Sequence, residues 1–290
     1  MILVTGASGL VGRATVAELA RQGLPCLAVA KSHVAPTGVP SVVHDLAGRL
    51  PLQEAVPTPP SIVAHLAAVV PHSADQPDSP YAGSQTERID DQVFAAALTW
   101  GCPVVYASSC GLYDRLDNDW KDEETSRARA TGPYFAAKLR GEGMFLRIPG
   151  STALRLSAPV GPGMRAGLVL SRFVCAARTA SNLRVWGSGA REQDFIDARD
   201  CARAVLAACR VCPGGTFNVA SARPITMLNL ATAVIEVVGA GSIELCGLCD
   251  PRELETARYR ISKAEASLGW RPEIALHDAI HSVATESFRR

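Results

Sequence analysis

Nowhere in its 290 residues does the chain hold the roughly 18 to 20 consecutive apolar residues that a helix needs to cross a bilayer. No membrane span is therefore expected. Lysine and arginine runs long enough to grip nucleic acid or a membrane surface are also missing, and the formal net charge is only +1. The opening "MILVTGASGLVG" has neither a charged lead-in nor a long apolar stretch, so it is not read as a signal peptide. No Gly-X-Y period, internal repeat or long linker interrupts the chain. These absences leave a cytoplasmic globular protein that acts on a small molecule, with no nucleic-acid or membrane partner. At 48% hydrophobic and 20% charged residues, it has enough apolar material for one large domain or two small ones.

Cysteine is not scarce, and there are nine. In a reducing compartment they read mostly as small buried hydrophobes. Two pairs, Cys209–Cys212 in "CRVC" and Cys246–Cys249 in "CGLC", each have the spacing of half a zinc site. The first ends an amphipathic helical pattern, and the second lies where a strand runs into a loop. Neither sits in a Gly-rich knuckle, so no metal site is expected.

What is present is alternation. Short β-branched runs occur at 2–4, 26–30, 41–43, 61–68 and 103–108, with helical patterns at 10–23 and 87–101 between them. Gly23 and Gly101 close those two helices. Strand, helix and strand with short connections imply parallel strands and right-handed crossovers. The expected fold is α/β: a Rossmann-type doubly wound parallel sheet with a smaller C-terminal α/β lobe that binds substrate. Residues 1–160 would form the dinucleotide-binding domain and 161–290 the lobe, with segments near 193–220 crossing back to the first domain. In the lobe, helices are expected at 168–180 and near 200–210, 226–238 and 262–268, with a strand at 183–187.

"VTGASGLVG" follows the first strand and opens the first helix. Gly6, Gly9 and Gly12, with Ser8, Leu10 and Val11 in the same turn, offer backbone N–H groups to a pyrophosphate. The spacing is G-x-x-G-x-x-G, a longer variant of the usual dinucleotide turn. No carboxylate stands at the end of the second strand to bind an NAD ribose. Lys31 is there instead, 19 positions after Gly12, beside Ser32. An ammonium and a hydroxyl suit a 2′-phosphate, so NADP(H) is the expected cofactor and NAD(H) the alternative. Asp45, followed by Leu46, is positioned after the third strand to accept from the adenine amino group.

With "HLAA" (65–68), "VVYASSCGLYD" (104–114), "PYFAAK" (133–138), "LRLSAPVGPG" (154–163), "GSGAREQDFIDARD" (187–200), "FNVAS" (217–221) and "SLGWRP" (267–272), the chain resembles the extended short-chain dehydrogenase/reductases. That group includes many nucleotide-sugar epimerases, dehydratases and reductases. The resemblance implies a nicotinamide cofactor, a catalytic set of Ser109, Tyr134 and Lys138, and a cofactor channel lined by Leu66, Ala67 and Ala68. Tyr134 and Lys138 would also touch the cofactor. His65 reads as a strand-core histidine. The chemistry of the pair is independent of the resemblance. A phenol titrates near pKa ~10, and proton transfer near neutrality needs about 3 units less, on the order of 4 kcal/mol in favour of phenolate. A lysine ammonium one helical turn away acts in that direction.

Departures from the family pattern narrow the reaction. The sugar dehydratases carry an Asp–Glu pair after the catalytic hydroxyl, where this chain has Cys110 and Gly111, so water elimination is not expected. "SSC" is similar to the same place in GDP-fucose synthases, but counting back from Tyr113 puts Gly111 at the place of their epimerising cysteine. Cys110 is therefore expected to contact substrate alongside Ser109 and not to act as a thiol catalyst. The arginine that many members carry before "DF" is Gln193 here; Arg191 on the same face and Arg252 in "DPRELE" are the expected diphosphate cations. Where the family often has asparagine at the start of the next helix, this chain has Thr86. The stretch 69–90 reads as a Pro- and Ser-rich loop that shapes the pocket.

The leading expectation is an NADP(H)-dependent reductase of a nucleotide-linked deoxysugar or a similar polar ketone. The alternatives are an NAD(P)-dependent nucleotide-sugar 4-epimerase and a non-catalytic cofactor sensor. Helices near 85–100 and 134–146 resemble those of the family's four-helix dimer interface, so a homodimer is expected.

Overall fold

Strand β1 (Ile2–Thr5) runs into α1 (Leu10–Arg21) through the glycine-rich turn. Then come β2 (Cys26–Ala30), β3 (Ser41–Val43), short α2 (Leu52–Ala55), β4 (Ile62–His65), α3 (Pro80–Trp100) and β5 (Val104–Ser109). After a single 3₁₀ turn at Cys110–Leu112 come α4 (Pro133–Phe145), β6 (Thr152–Leu156), β7 (Ala158–Val160), α5 (Val169–Arg178), β8 (Asn182–Val185), β9 (Glu192–Gln193), β10 (Phe195–Asp197) and α6 (Ala198–Val211). The chain continues through β11 (Gly215–Val219), β12 (Ile225–Thr226), α7 (Met227–Val238), β13 (Ser242–Leu245), α8 (Ser262–Leu268) and α9 (Leu276–Ala284). The computed structural model describes residues 1–32, 38–71 and 80–285. Among these, no helix is long and apolar enough to cross a membrane.

Seven strands form one parallel sheet in the order β11-β6-β5-β4-β1-β2-β3. The fold is the doubly wound α/β sheet expected from the sequence. Strand side chains alternate between two cores, as the two-residue period requires. Val4, Ala28, Ile62, Ala64 and Val105 join Val16 and Leu19 of α1 and Val205 of α6 on one face. Leu3, Val29, Val63, Val104 and Tyr106 join Val93 of α3 and Phe145 of α4 on the other. The chain returns to this sheet late: β11 pairs with β6, setting Phe217 beside Leu154. A third cluster, built on Leu170, Phe173 and Val174 of α5, Leu230 and Val234 of α7, and Ile280 and Val283 of α9, is separate from both.

The first five strands, α1 and the α6–α8 helices fall where the patterns put them. Gly23 and Gly101 close α1 and α3 with φ near +63°. Other elements differ. Helix α3 begins at Pro80, so 80–90 of the expected loop is helical; 69–71 are irregular, and 72–79 lie outside the described residues. Thr86 is therefore inside the helix, buried, with its hydroxyl 3.2 Å from the Val69 amide, which donates to it. Helix α9 was not expected at all. The two CxxC pairs sit on different elements, one at the end of α6 and one after β13. Among the described residues no group of three or more His, Cys, Asp and Glu gathers to hold a metal.

Candidate active site

The turn after β1 is shaped by steric necessity. Gly6 takes φ +66°, and a Cβ there would stand 2.6 Å from the Ala67 amide nitrogen. A Cβ on Gly12 would overlap the Gly6 carbonyl oxygen. Gly9 precedes α1 without capping it through a side chain, so the first-turn N–H groups of Leu10, Val11 and Gly12 keep their capacity for an anion. Arg13 holds the turn from behind, donating to the carbonyls of Ser8 at 2.6 Å and Gly163 at 2.9 Å. The end of β4 closes the other side, with Leu66 and Ala67 packed against Gly6. This glycine cradle fits a dinucleotide pyrophosphate.

At the ends of β2 and β3 the structure changes one expectation. Lys31 and Asp45 were expected to read different parts of the adenosine. They pair with each other instead, Nζ to Oδ2 at 3.0 Å. Asp45 Oδ1 also accepts from the Ala47 amide at 3.0 Å. The ammonium is thus half of an exposed ion pair, and its pull on a 2′-phosphate is partly offset. Ser32 is exposed beside it, and Leu46 is buried in the core below.

The three expected catalytic residues come to one end of the sheet. Ser109 is the last residue of β5, and its Oγ accepts from the Gly111 amide at 3.0 Å, leaving its hydrogen to donate elsewhere. Helix α4 starts at Pro133, a residue that favours a first helical position. It sets Phe135 against Gly111, and one turn further in it carries Lys138. Lys138 is 2% exposed; its Nζ donates to the Ala107 carbonyl at 2.7 Å and stands 5.9 Å from the centre of the Tyr134 ring. Burial pulls the Lys138 pKa down, and the charges of Asp90 and Glu142 oppose that.

Cys110 is a correction. It was expected to touch substrate, but it is 1% exposed and its thiol points at the Arg155 carbonyl oxygen, 3.1 Å away. The 3₁₀ turn that begins at Cys110 rotates the side chain into the protein, and burial pushes the thiol pKa far up. Tyr113 is also buried, donating to Asn218 at 2.8 Å. His65 lies in the core, hydrogen-bonded to Thr5 and Asp90.

In the part of the chain expected to form the lobe, Gln193 Oε1 accepts from Arg115 at 2.8 Å, and the same guanidinium donates to the Glu192 carbonyl and pairs with Glu255. Arg191 Nε lies 3.1 Å from Asp250 Oδ2, an ion pair without hydrogen-bond alignment. Burial and then the positive charge of Arg252 push the Arg191 pKa down. Sequence reasoning missed Arg115, because its partners lie in distant segments. It also missed Asp90, which a helical count could have found: Thr86, Asp90, Val93 and Ala97 share one buried stripe of α3.

The profile of the NAD dependent epimerase/dehydratase family matches residues 2–220. UDP-glucose 4-epimerase of Mycolicibacterium smegmatis is 27% identical over 249 residues, 79% of this chain and 76% of that one. The structure titled MoeE5 in complex with UDP-glucose and NAD superposes with a TM-score of 0.80 at 25% identity, over 98% of this chain and 97% of that one. A UDP-glucose 4-epimerase of Thermotoga maritima shares the fold with a TM-score of 0.84 at 20% identity, with the same coverage.

Proposed function

The chain belongs to the NAD dependent epimerase/dehydratase family, as an NAD(P)-dependent enzyme of the extended short-chain dehydrogenase/reductase type, and on that premise we propose that it is a nucleotide-sugar 4-epimerase. The carrying observation is Lys138, buried beneath Tyr134 and held by the Ala107 carbonyl of β5, the strand that ends in Ser109. The chemistry a bound nicotinamide supplies is reversible hydride transfer. Tyr134 takes the proton from the sugar 4-hydroxyl as C4 is oxidised. It returns that proton after the keto sugar has presented its other face, so protons and electrons balance with no net redox. Ser109 donates to the same sugar oxygen. Lys138 holds the phenol in its acidic range. Arg191 and Arg252 are the cations offered to a diphosphate, which would compete for them with the carboxylates of Asp250, Glu253 and Glu255. The epimerases among the relatives support this reading. Elimination is disfavoured because no carboxyl stands at positions 110 and 111.

A second reading, net reduction of a keto sugar with NADPH, is favoured by Lys31 at the end of β2. The two are separated by incubating the purified protein with UDP-glucose or UDP-galactose, with and without added NAD. Interconversion without net change in nicotinamide absorbance is expected. Steady NADPH consumption with a keto-sugar nucleotide, and no interconversion, would overturn the epimerase reading in favour of the reductase.

A further inference from the structure

Beneath the candidate site a polar chain crosses the interior, and the mechanism above does not use it. Thr5 Oγ1 of β1 lies 2.7 Å from His65 Nδ1 of β4. His65 Nε2 lies 3.0 Å from Asp90 Oδ1 of α3. Asp90 Oδ2 accepts from the Tyr106 hydroxyl of β5 at 2.8 Å. The Tyr106 ring in turn carries Lys138 Nζ, 4.5 Å above its centre. Each of the five residues is at most 2% exposed. Helix α4 reaches this depth because residue 141 is glycine; a Cβ there would overlap the Tyr106 hydroxyl and stand 2.7 Å from Asp90 Oδ2.

The charges beneath α4 divide into two pairs. Glu142 grips Arg155 through two hydrogen bonds, at 2.8 and 2.7 Å, and accepts a third from Ser108 at 2.6 Å. That pair is closed. Among the described residues Asp90 hydrogen-bonds neutral groups, since burial favours uncharged His65 and Tyr106 is a phenol. A carboxylate can only accept, so His65 carries its hydrogen on Nε2 and its Nδ1 accepts from Thr5. Lys138 Nζ, for its part, donates to a carbonyl and not to a carboxylate. The remaining anion, at the hydroxyl edge of Tyr106, and the remaining cation, over its face, therefore share one aromatic ring.

We propose that Asp90 is a positioning residue of this enzyme: acting across the Tyr106 ring, it is the counter-charge that keeps Lys138 protonated and seated beneath Tyr134. The proposal rests on the reading of Tyr134 as the proton-transfer group. A phenol that donates to a carboxylate gains electron density on its ring, and a richer ring face binds an ammonium more strongly. His65 and Thr5 fix the second carboxylate oxygen, so the field on Lys138 has one direction. The titratable and charged groups around this pair are His65 from β4, Tyr106 from β5, Tyr134, Arg140 and Glu142 from α4, and Arg155 of β6 behind Glu142.

The test is Asp90→Asn, with Tyr106→Phe as the milder variant and Tyr134→Phe as the control. Without the counter-charge Lys138 loses its proton more readily, and the Tyr134 phenol becomes a weaker acid. The acidic limb of the kcat profile should move to higher pH by about one unit, with about tenfold less turnover at neutral pH and an unchanged KM. Tyrosinate difference absorbance of the cofactor-free protein, referenced to Tyr134→Phe, should show the same shift without turnover. Tyr106→Phe keeps the ring and breaks its bond to Asp90, so it should shift both readouts in the same direction by less. The double variant should shift no further than Asp90→Asn alone. A folded Asp90→Asn with both readouts unshifted overturns the proposal; if that variant does not fold, an unshifted Tyr106→Phe overturns it. An inactive Tyr134→Phe beside an unshifted Asp90→Asn sinks the Asp90 role alone. A Tyr134→Phe that turns over at full rate removes the underlying reading as well.

Discussion

Two walls of charge, one beneath α4 and one around β9, are built in opposite ways. Beneath α4, Glu142 and Arg155 are 5% and 7% exposed, and Lys138 is buried with them. Their bonds close within neighbouring strands and one helix. On the lobe wall, Arg115 and Arg191 are 17% and 16% exposed, and their partners come from β9 and from the turns around Asp250 and Glu255. The first arrangement fixes atoms that must not move during proton transfer. The second leaves cations at a surface where an anionic ligand can compete for them. The difference predicts that damage to the first wall shows as lost stability, and damage to the second as weaker substrate binding.

The largest effect should come from Arg155→Met. It strands the Glu142 carboxylate in the interior, at a cost of about 3–5 kcal/mol. Adding Glu142→Gln should recover most of that loss, because the amide still accepts from Ser108 and no charge is left alone. Chemical denaturation midpoints of the two variants measure this directly. Equal destabilisation by the single and double variants would mean that packing, not charge, holds this wall together.

The same contrast explains what could be read from the sequence. Strands β1 to β5 are continuous apolar runs between turns, and the pairing of Tyr134 with Lys138 needs only helical spacing. The glycine turn likewise lies within one short segment. The start of α3 was hidden because "PYAGSQT" is rich in breakers. Packing holds it helical: Gly83 lies so close to α4 that a Cβ would stand 2.7 Å from the Pro133 carbonyl oxygen. Asp90 was passed over because an acid on a helix reads as solvated, although its stripe is apolar on either side. Cys110 was misassigned because adjacency in "SSC" says nothing about which way a 3₁₀ turn aims a side chain. Helix α9 is nine residues long, and its apolar positions make sense only against α5 and α7. Arg115 was beyond reach, since no local pattern joins it to Gln193.

The lobe wall supplies the intermediate effect. Arg252 is half-buried, and among the described residues no ion pair of its side chain is seen. Arg252→Ala should raise KM for a nucleotide sugar about tenfold while leaving kcat in place, the signature of binding lost equally from ground and transition states. Its unfolding midpoint should stay close to that of the native chain, within about 0.5 kcal/mol. Arg191→Ala should do both, raising KM and lowering stability, because it also leaves the buried Asp250 without its cation. If Arg252→Ala lowers kcat and leaves KM alone, the lobe cation acts in the chemical step and the division between the walls fails.

The smallest effect concerns a third region, the exposed rim where Lys31 meets Asp45. Their side chains are 75% and 44% exposed, so solvent screens the pair and neither residue matters to stability. What the pair controls is the charge offered to the adenosine ribose. Lys31→Ala should weaken NADPH binding and leave NADH nearly unaffected. Asp45→Asn should strengthen NADPH binding several-fold, because it releases the ammonium from its partner. Both changes should shrink as salt is added. Fluorescence titration of each nucleotide against the three proteins measures this. If the ratio of NADPH to NADH affinity is the same in all three, Lys31 does not face the ribose. The case for a net reductase then loses its one favouring residue, and the rim is simply a solvated ion pair at the end of two strands.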